Sequence, residues 1–308
     1  MKRRASATGQ IRCGDLGEDR LLAQLLPKLP RNREVVLGAG DDCAIVKSGR
    51  QGGLHLLKTD CLVEEIHFKK RSQPELVGWK AMARPLSDFA AMSGVPQFAL
   101  VTLVVPSQRK LAWVKQLYRG IAKAARTFNV AVVGGETSRT KGPAVISVSV
   151  AGFVEQERWV GRAAGKPNDE LFVTGRLGGS LRGGHLKFVP RLVESRWLTK
   201  NFPIHAMMDL SDGLGSDLPR LARASRVGFE IDVRALPLNR GCTIRQAISD
   251  GEDYELLFAI SPRHSARLQK SWRKKFPKLP LTRIGKLNSE FGIRNSEFPK
   301  GYVHFQEC

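Results

Sequence analysis

The chain alternates between two hydrophobic periods. Leu21, Leu22, Leu25 and Leu26 recur at helical spacing and predict a helix over Glu18–Leu29. Short apolar runs predict strands at Val35–Leu37, Cys43–Val46 and Leu54–Leu57, the last leading into Thr59-Asp60. Glu75–Met92 reads as a helix that Pro85 breaks or kinks. Phe98–Val105 reads as a buried strand and Gln108–Phe128 as a long amphipathic helix. A buried strand at Val130–Val133 runs into Gly134-Gly135-Glu136-Thr137, and Ala144–Val154 alternates as a strand.

The polar, glycine-rich stretch Glu155–Asp169 is the natural boundary, dividing the chain into 1–155 and 156–308. Beyond it the pattern repeats in kind. Strands are expected at Leu171–Thr174, Ala206–Leu210, Gly228–Val233 and Tyr254–Ile260, with helices at Gly213–Ser225 and Arg263–Trp272. Strands alternating with helices predict α/β layering in both halves. The length of 308 residues suits two domains of about 150 each.

No apolar run approaches the roughly 20 residues of a membrane span. The basic start, Met1-Lys2-Arg3-Arg4, is followed by no apolar segment, which argues against a secretory signal. The cysteines (13, 43, 61, 242 and 308) show no CxxC pairing and read as reduced thiols of a cytoplasmic protein.

A net charge of +21 invites a nucleic-acid reading, but the distribution of charge argues otherwise. Carboxylates are scarce and crowd beside Gly, Ser and Thr, as in Gly40-Asp41-Asp42, Thr59-Asp60, Gly135-Glu136-Thr137 and Asp209-Leu210-Ser211-Asp212-Gly213. Hard cations such as Mg²⁺ take oxygen ligands of that kind. Alone, each cluster is a turn or a cap; Asp209 to Asp212 before a helix is a fair N-cap signal. Together, at strand ends and in loops of α/β layers, they read as a ligand site. The chain carries no Walker-type GxxxxGK[ST] run and no protein-kinase motif set. Any nucleotide phosphates would therefore be held mainly through Mg²⁺ and backbone amides. The basic stretch Arg263–Lys286 has few aromatics, which leaves a stacking platform for bases poorly supported.

The motifs GAGDDCAIV (38–46), TDCLVEEIHF (59–68), LSDFAAMSGVP (86–96), VVGGETSR (132–139), GRAAGKPNDELFVTG (161–175), MDLSDGLGSDL (208–218), DGEDYELLF (250–258) and GYVHF (301–305) resemble, in this order, thiamine-monophosphate kinase. That family lies in the superfamily of aminoimidazole ribonucleotide synthetase and selenophosphate synthetase. The resemblance implies a two-domain fold like aminoimidazole ribonucleotide synthetase, with an N-terminal sheet forming a homodimer interface and a C-terminal α/β domain. It implies transfer of phosphate from ATP to thiamine monophosphate, giving thiamine diphosphate, with several Mg²⁺ ions. By motif position it implies metal ligands at Asp42, Thr59, Asp60, Asp88, Glu136, Asp209 and Asp212. It implies ATP contacts at Phe128, Gly135, Glu136, Arg162 and Ser211, and thiamine monophosphate contacts at His67, Glu252 and Tyr302.

The chain departs from the family pattern at several places. Glu136 replaces the usual Asp, Asp250 replaces a Gly, and Pro85 stands where Asn is common. Lys58 stands where Ser is common and brings an ammonium beside the expected metal ligands. Two other readings compete: a different ATP-dependent enzyme of the superfamily, and a basic nucleic-acid-binding protein on this fold. Retention of the carboxylates speaks against the second.

Overall fold

The computed structural model describes residues 12–48, 53–291 and 301. Helix α1 (Cys13–Leu25) opens the described chain. A first sheet is then built from β1 (Val35–Leu37), β2 (Ala44–Ser48), β3 (Gly53–Val63), β4 (Val95–Pro106), β5 (Ala131–Thr140) and β6 (Val145–Val154). Helices α2 (Pro74–Ala91) and α3 (Leu111–Thr127) belong to the same half. The strand order is β1-β2-β3-β6-β4-β5. Only β4 and β5 pair in parallel; the other ladders run antiparallel.

The second half has β7 (Glu170–Thr174), α4 (Leu192–Asn201), β8 (Ile204–Asp209), α5 (Leu214–Ser225), β9 (Gly228–Ile231), α6 (Ile244–Ser249), β10 (Leu256–Ile260), α7 (Pro262–Lys275) and β11 (Leu281–Asn288). Its sheet has the order β8-β10-β7-β11-β9 and is antiparallel throughout. The expected layering of helices on sheets is present, but the pairing is antiparallel, because the helices do not serve as right-handed crossovers between neighbouring strands.

Strand alternation explains why some segments read as continuous apolar runs. In β10, Leu256, Phe258 and Ile260 enter one core while Leu257 and Ala259 enter another. Phe172 and Met207 join the first core, and Val173 and Met208 the second. Both faces are therefore buried, and no polar position interrupts the run. The second core lies under α5 and α6. The first is shared with the N-terminal half, and α2 runs through it, packed against both sheets. That position accounts for burial all around α2, from Val77 to Ala91. Pro85 does not end this helix; α2 continues through it as one element.

The first sheet is covered on one face only. Leu56 and Leu62 of β3, Ala99 and Val101 of β4 and Ile146 and Val148 of β6 point into the core. Their alternating neighbours Leu57, Phe98 and Leu100 are almost half exposed, at 45%, 49% and 49%. Together with Thr59, Val133 and Ser149 they line an open depression of about 560 Å³. Among the described residues no helix is long and apolar enough to cross a membrane.

Two glycines set how closely α2 approaches α3. A Cβ on Gly78 would overlap the Leu117 carbonyl oxygen, and one on Gly120 would overlap that of Glu75. Each helix thus lays its backbone directly on the other. Alanine favours a helix over glycine by about 1 kcal/mol. Here that gain is outweighed by overpacking, which costs roughly 1–3 kcal/mol. Gly120→Ala is accordingly expected to lower stability in urea denaturation; an unchanged or higher midpoint would show that the helices can separate freely.

Candidate active site

The acidic motifs meet along the seam that α2 makes between the two sheets. One carboxylate oxygen from each of Asp42, Asp88 and Asp209 lies within 4.8 Å of the other two. All three side chains are buried. They come from the loop before β2, from the last turns of α2 and from the end of β8.

Each carboxylate has a partner. Arg162 Nη2 donates to Asp42 Oδ1, and Lys58 Nζ donates to Asp88 Oδ1 at 2.9 Å. The Ser87 hydroxyl donates to Asp209 Oδ2 at 2.6 Å. Arg84 Nη2 stands 3.6 Å from Asp60 Oδ1. Two atoms of the group are left over: Asp42 Oδ2 and Arg162 Nε are buried and have no hydrogen-bond partner among the described residues. An orphan carboxylate oxygen is costly unless something positive meets it.

The electrostatics reflect the crowding. Burial pushes Asp209 up to about 7, helped by the charge of Asp42. Burial also pushes Asp88 well up, and Asp60, Asp209 and Asp42 add to this against the pull of Lys58. Asp41 rises to about 6, first through burial and then through Asp42. Asp60 goes the other way: burial would raise it, but Arg84 and Lys58 hold it below its ordinary range. Carboxylates pushed toward protonation by one another are those a divalent cation would keep ionised. The set is all oxygen, as hard cations require, and it includes the unpartnered oxygen. The residues therefore fit Mg²⁺.

The remaining expected site residues divide into groups. Asp60 stands beside the cluster, tied to it through Arg84 and within the field of Lys58. Asp212 follows Asp209 closely, but its carboxylate is bound by Arg220 of α5, which also holds Asp217 at 3.0 Å. Ser211 contributes its carbonyl, which accepts from the Glu252 amide at 2.7 Å. Thr59 is not brought to the triad. It lies in mid-strand, where neighbours face opposite ways, and its hydroxyl meets Ser149 at 3.0 Å on the open face.

Gly135 and Glu136 also lie inside a strand, not beyond its end, and both are exposed. Glu136 Oε1 accepts from the Thr137 amide. Gly135 has φ +155°, and a Cβ there would overlap the Val101 carbonyl oxygen of β4. Its glycine is thus demanded by strand packing, whatever else it does. Phe128 caps α3 and packs on Trp79 with ring centroids 5.6 Å apart. Tyr302 lies outside the described residues.

His67 and Glu252 stand at a second polar group beside the cluster. Lys80, fully buried, donates to Glu252 Oε1 at 2.6 Å and to the His67 carbonyl at 2.7 Å. His185 Nδ1 is 2.8 Å from Glu252 Oε2 and 2.8 Å from Lys80 Nζ. The His67 ring accepts from the Val63 amide through Nδ1. Glu252 and Tyr254 both adopt left-handed backbone, with φ of 54° and 53°. Such strain in non-glycine residues persists only where the surroundings enforce it, and it gathers at functional sites.

Lys80, Arg84, Ser87, His185 and Tyr254 were not among the residues expected from sequence. For two of them, Lys80 and Arg84, a signal existed beside the expected Asp88. Lys80, Arg84 and Asp88 recur at four-residue spacing and so share one helix face. Charges that persist on one face of an otherwise apolar helix mark a buried polar seam.

Burial alone would raise the Glu252 carboxyl, but His185 and Lys80 outweigh it and hold it at about 2, below the ordinary 4.5. The unfolded chain therefore binds the extra proton in this window, and stability rises with pH across it. Glu252 is expected to contribute about 3 kcal/mol above pH 4.5, lost as pH falls toward 2. Urea melts of the wild type and Glu252→Gln at pH 3 and pH 6 check this: the variant's stability should depend less steeply on pH.

Comparison with known proteins follows this geometry. Residues 40–154 match the family model of AIR synthase related protein, N-terminal domain, and residues 162–291 match its C-terminal domain. The thiamine-monophosphate kinase of Rhodopirellula baltica is 36% identical over 93% of this chain and 97% of its own. That of Bacillus subtilis is 32% identical over 93% and 98%. The solved structure of AaThiL complexed with AMPPCP and TMP superposes with a TM-score of 0.81 at 31% identity, covering 96% of this chain and 99% of that one. With its buried carboxylate triad and agreement along nearly its whole length, this chain belongs to the thiamine-monophosphate kinase family of AIR synthase related proteins.

Proposed function

We propose that the chain transfers the terminal phosphoryl group of ATP to thiamine monophosphate, giving ADP and thiamine diphosphate. The observation that carries this is the meeting of Asp42, Asp88 and Asp209 from three distant segments, with a buried oxygen of Asp42 left unpartnered. In this reading they hold Mg²⁺, with Asp60 beside them and Asp212 joining when Arg220 yields it. Bound Mg²⁺ would offset the repulsion between donor and acceptor phosphates.

The protein's own part is positioning. The acceptor is a phosphate monoester with a second pKa near 6, so it is already a dianionic nucleophile at neutral pH. No general base is needed. Arg162, anchored on Asp42, is a planar, permanently charged donor suited to a phosphate oxygen. Ser211 stands at the same seam for the nucleotide. Glu252 and His67 lie on the Lys80 side and are assigned to thiamine monophosphate, with Tyr302. Glu252 suits the aminopyrimidine as a hydrogen-bond acceptor, since Lys80 and His185 keep it ionised.

Thr59, Phe128, Gly135 and Glu136 do not reach the triad within one chain. The open face of the first sheet supplies a reason. Leu57, Phe98, Leu100 and Val133 are exposed together there, an apolar patch of the kind that marks an interface. We assign it to a homodimer in which a second copy covers this face. A cytoplasmic location agrees with the free thiols of Cys13, Cys43, Cys61 and Cys242.

Two measurements test the reading. ADP release should require both thiamine monophosphate and Mg²⁺, and Asp209→Asn should lower kcat about 10²- to 10³-fold. ADP release indifferent to thiamine monophosphate would point to another substrate. Sedimentation should give two chains for the wild type and one for Leu100→Asp; an unchanged mass in the variant would move the interface elsewhere.

A further inference from the structure

The cation partners of the cluster are unevenly placed. Asp42 takes Arg162, Asp60 takes Arg84 and Asp88 takes Lys58, while among the described residues the side-chain partner of Asp209 is the Ser87 hydroxyl. Arg162 enters from the segment between the sheets and Arg84 from α2, both by long side chains from the margin of the group. Lys58 differs. It lies in mid-β3, whose alternation points it the same way as Leu56, Asp60 and Leu62, under α2. Its ammonium is therefore fixed inside the group, 2.9 Å from Asp88 Oδ1 and one strand period from Asp60.

We infer that Lys58 is a built-in monovalent counter-ion that fills the Asp88–Asp60 side of the cluster and excludes a divalent cation from it. This rests on the proposed metal role of the carboxylates. Asp42 Oδ2, which has no partner among the described residues, and Asp209, whose partner there is a hydroxyl and not a cation, mark where a divalent ion finds uncommitted oxygen. At Asp88 the ammonium takes Oδ1 and repels a second cation on that side, which leaves Asp88 its other oxygen to share with the ion that Asp42 and Asp209 would hold. A lysine does this without exchange: it cannot be chelated away, and it carries one charge where an ion would carry two. The consequence is a lower metal capacity than the number of carboxylates suggests, and an Asp88 oriented before any ion arrives.

The experiment uses the full chain without nucleotide and Mn²⁺ alone as the probe, counted by electron paramagnetic resonance of the free ion and by calorimetry. Lys58→Ser opens the space and removes the charge; it is expected to bind one more Mn²⁺ than the wild type. Lys58→Met fills the space without charge; it is expected to bind Mn²⁺ at least tenfold more tightly than the wild type even if Lys58→Ser fails to fold. Lys58→Arg should behave as the wild type. Equal numbers of ions with Kd values within twofold across wild type, Lys58→Ser and Lys58→Met would overturn the counter-ion role while leaving the metal reading intact. Absence of Mn²⁺ binding in all of them would overturn both.

Discussion

Repulsion among buried carboxylates is the constraint around which this molecule is arranged. Asp88 and Asp209 would be hydrated and ionised on a surface; packed with Asp42 under α2 they are pushed toward protonation by burial and by neighbouring carboxylates. The fold contains the repulsion with cations drawn from separate elements, Lys58 from β3, Arg84 from α2 and Arg162 from the inter-sheet segment. Compensation is incomplete at Asp42 Oδ2 and at Asp209. A site of this kind is poised for a positively charged ligand, because binding relieves an existing strain as well as forming new contacts.

Helix α2 is the element that makes such a site physically sustainable. It is buried on nearly all sides, between one sheet's inner face and the other's, so its polar residues are held by packing and cannot swing away. Lys80, Arg84 and Asp88 present a line of charge along one of its faces. The line connects two groups: Glu252 with His185 at one end, the carboxylate triad at the other. That connection agrees with a reaction that brings an organic phosphate and a nucleotide to a common centre. The close backbone contact through Gly78 and Gly120 fixes the helix from behind.

Sequence patterning found β7, β8, α5, β9, β10 and α7 of the second half but missed α4, α6 and β11. It stopped β3 and β5 too early. Thr59-Asp60 and Gly135-Glu136 look like loop residues, yet both pairs lie within strands. Polar residues in mid-strand are tolerated where one face meets a polar seam and the other meets an open surface, and neither surface is visible in a one-dimensional pattern. The same alternation that takes Asp60 to the cluster carries Thr59 away from it.

From the chain alone came the membership of the site: which segments carry oxygen ligands, and that a chain so basic keeps its few acids in clusters. Local spacing suffices for that, since residue type and turn chemistry are properties of neighbours in sequence. Tertiary structure alone decided which acids meet, which partner each receives, and that Lys80 is the buried partner of Glu252. Those outcomes depend on distances between segments from 30 to 172 residues apart, and on burial, which turns an ordinary surface charge into one that must be answered.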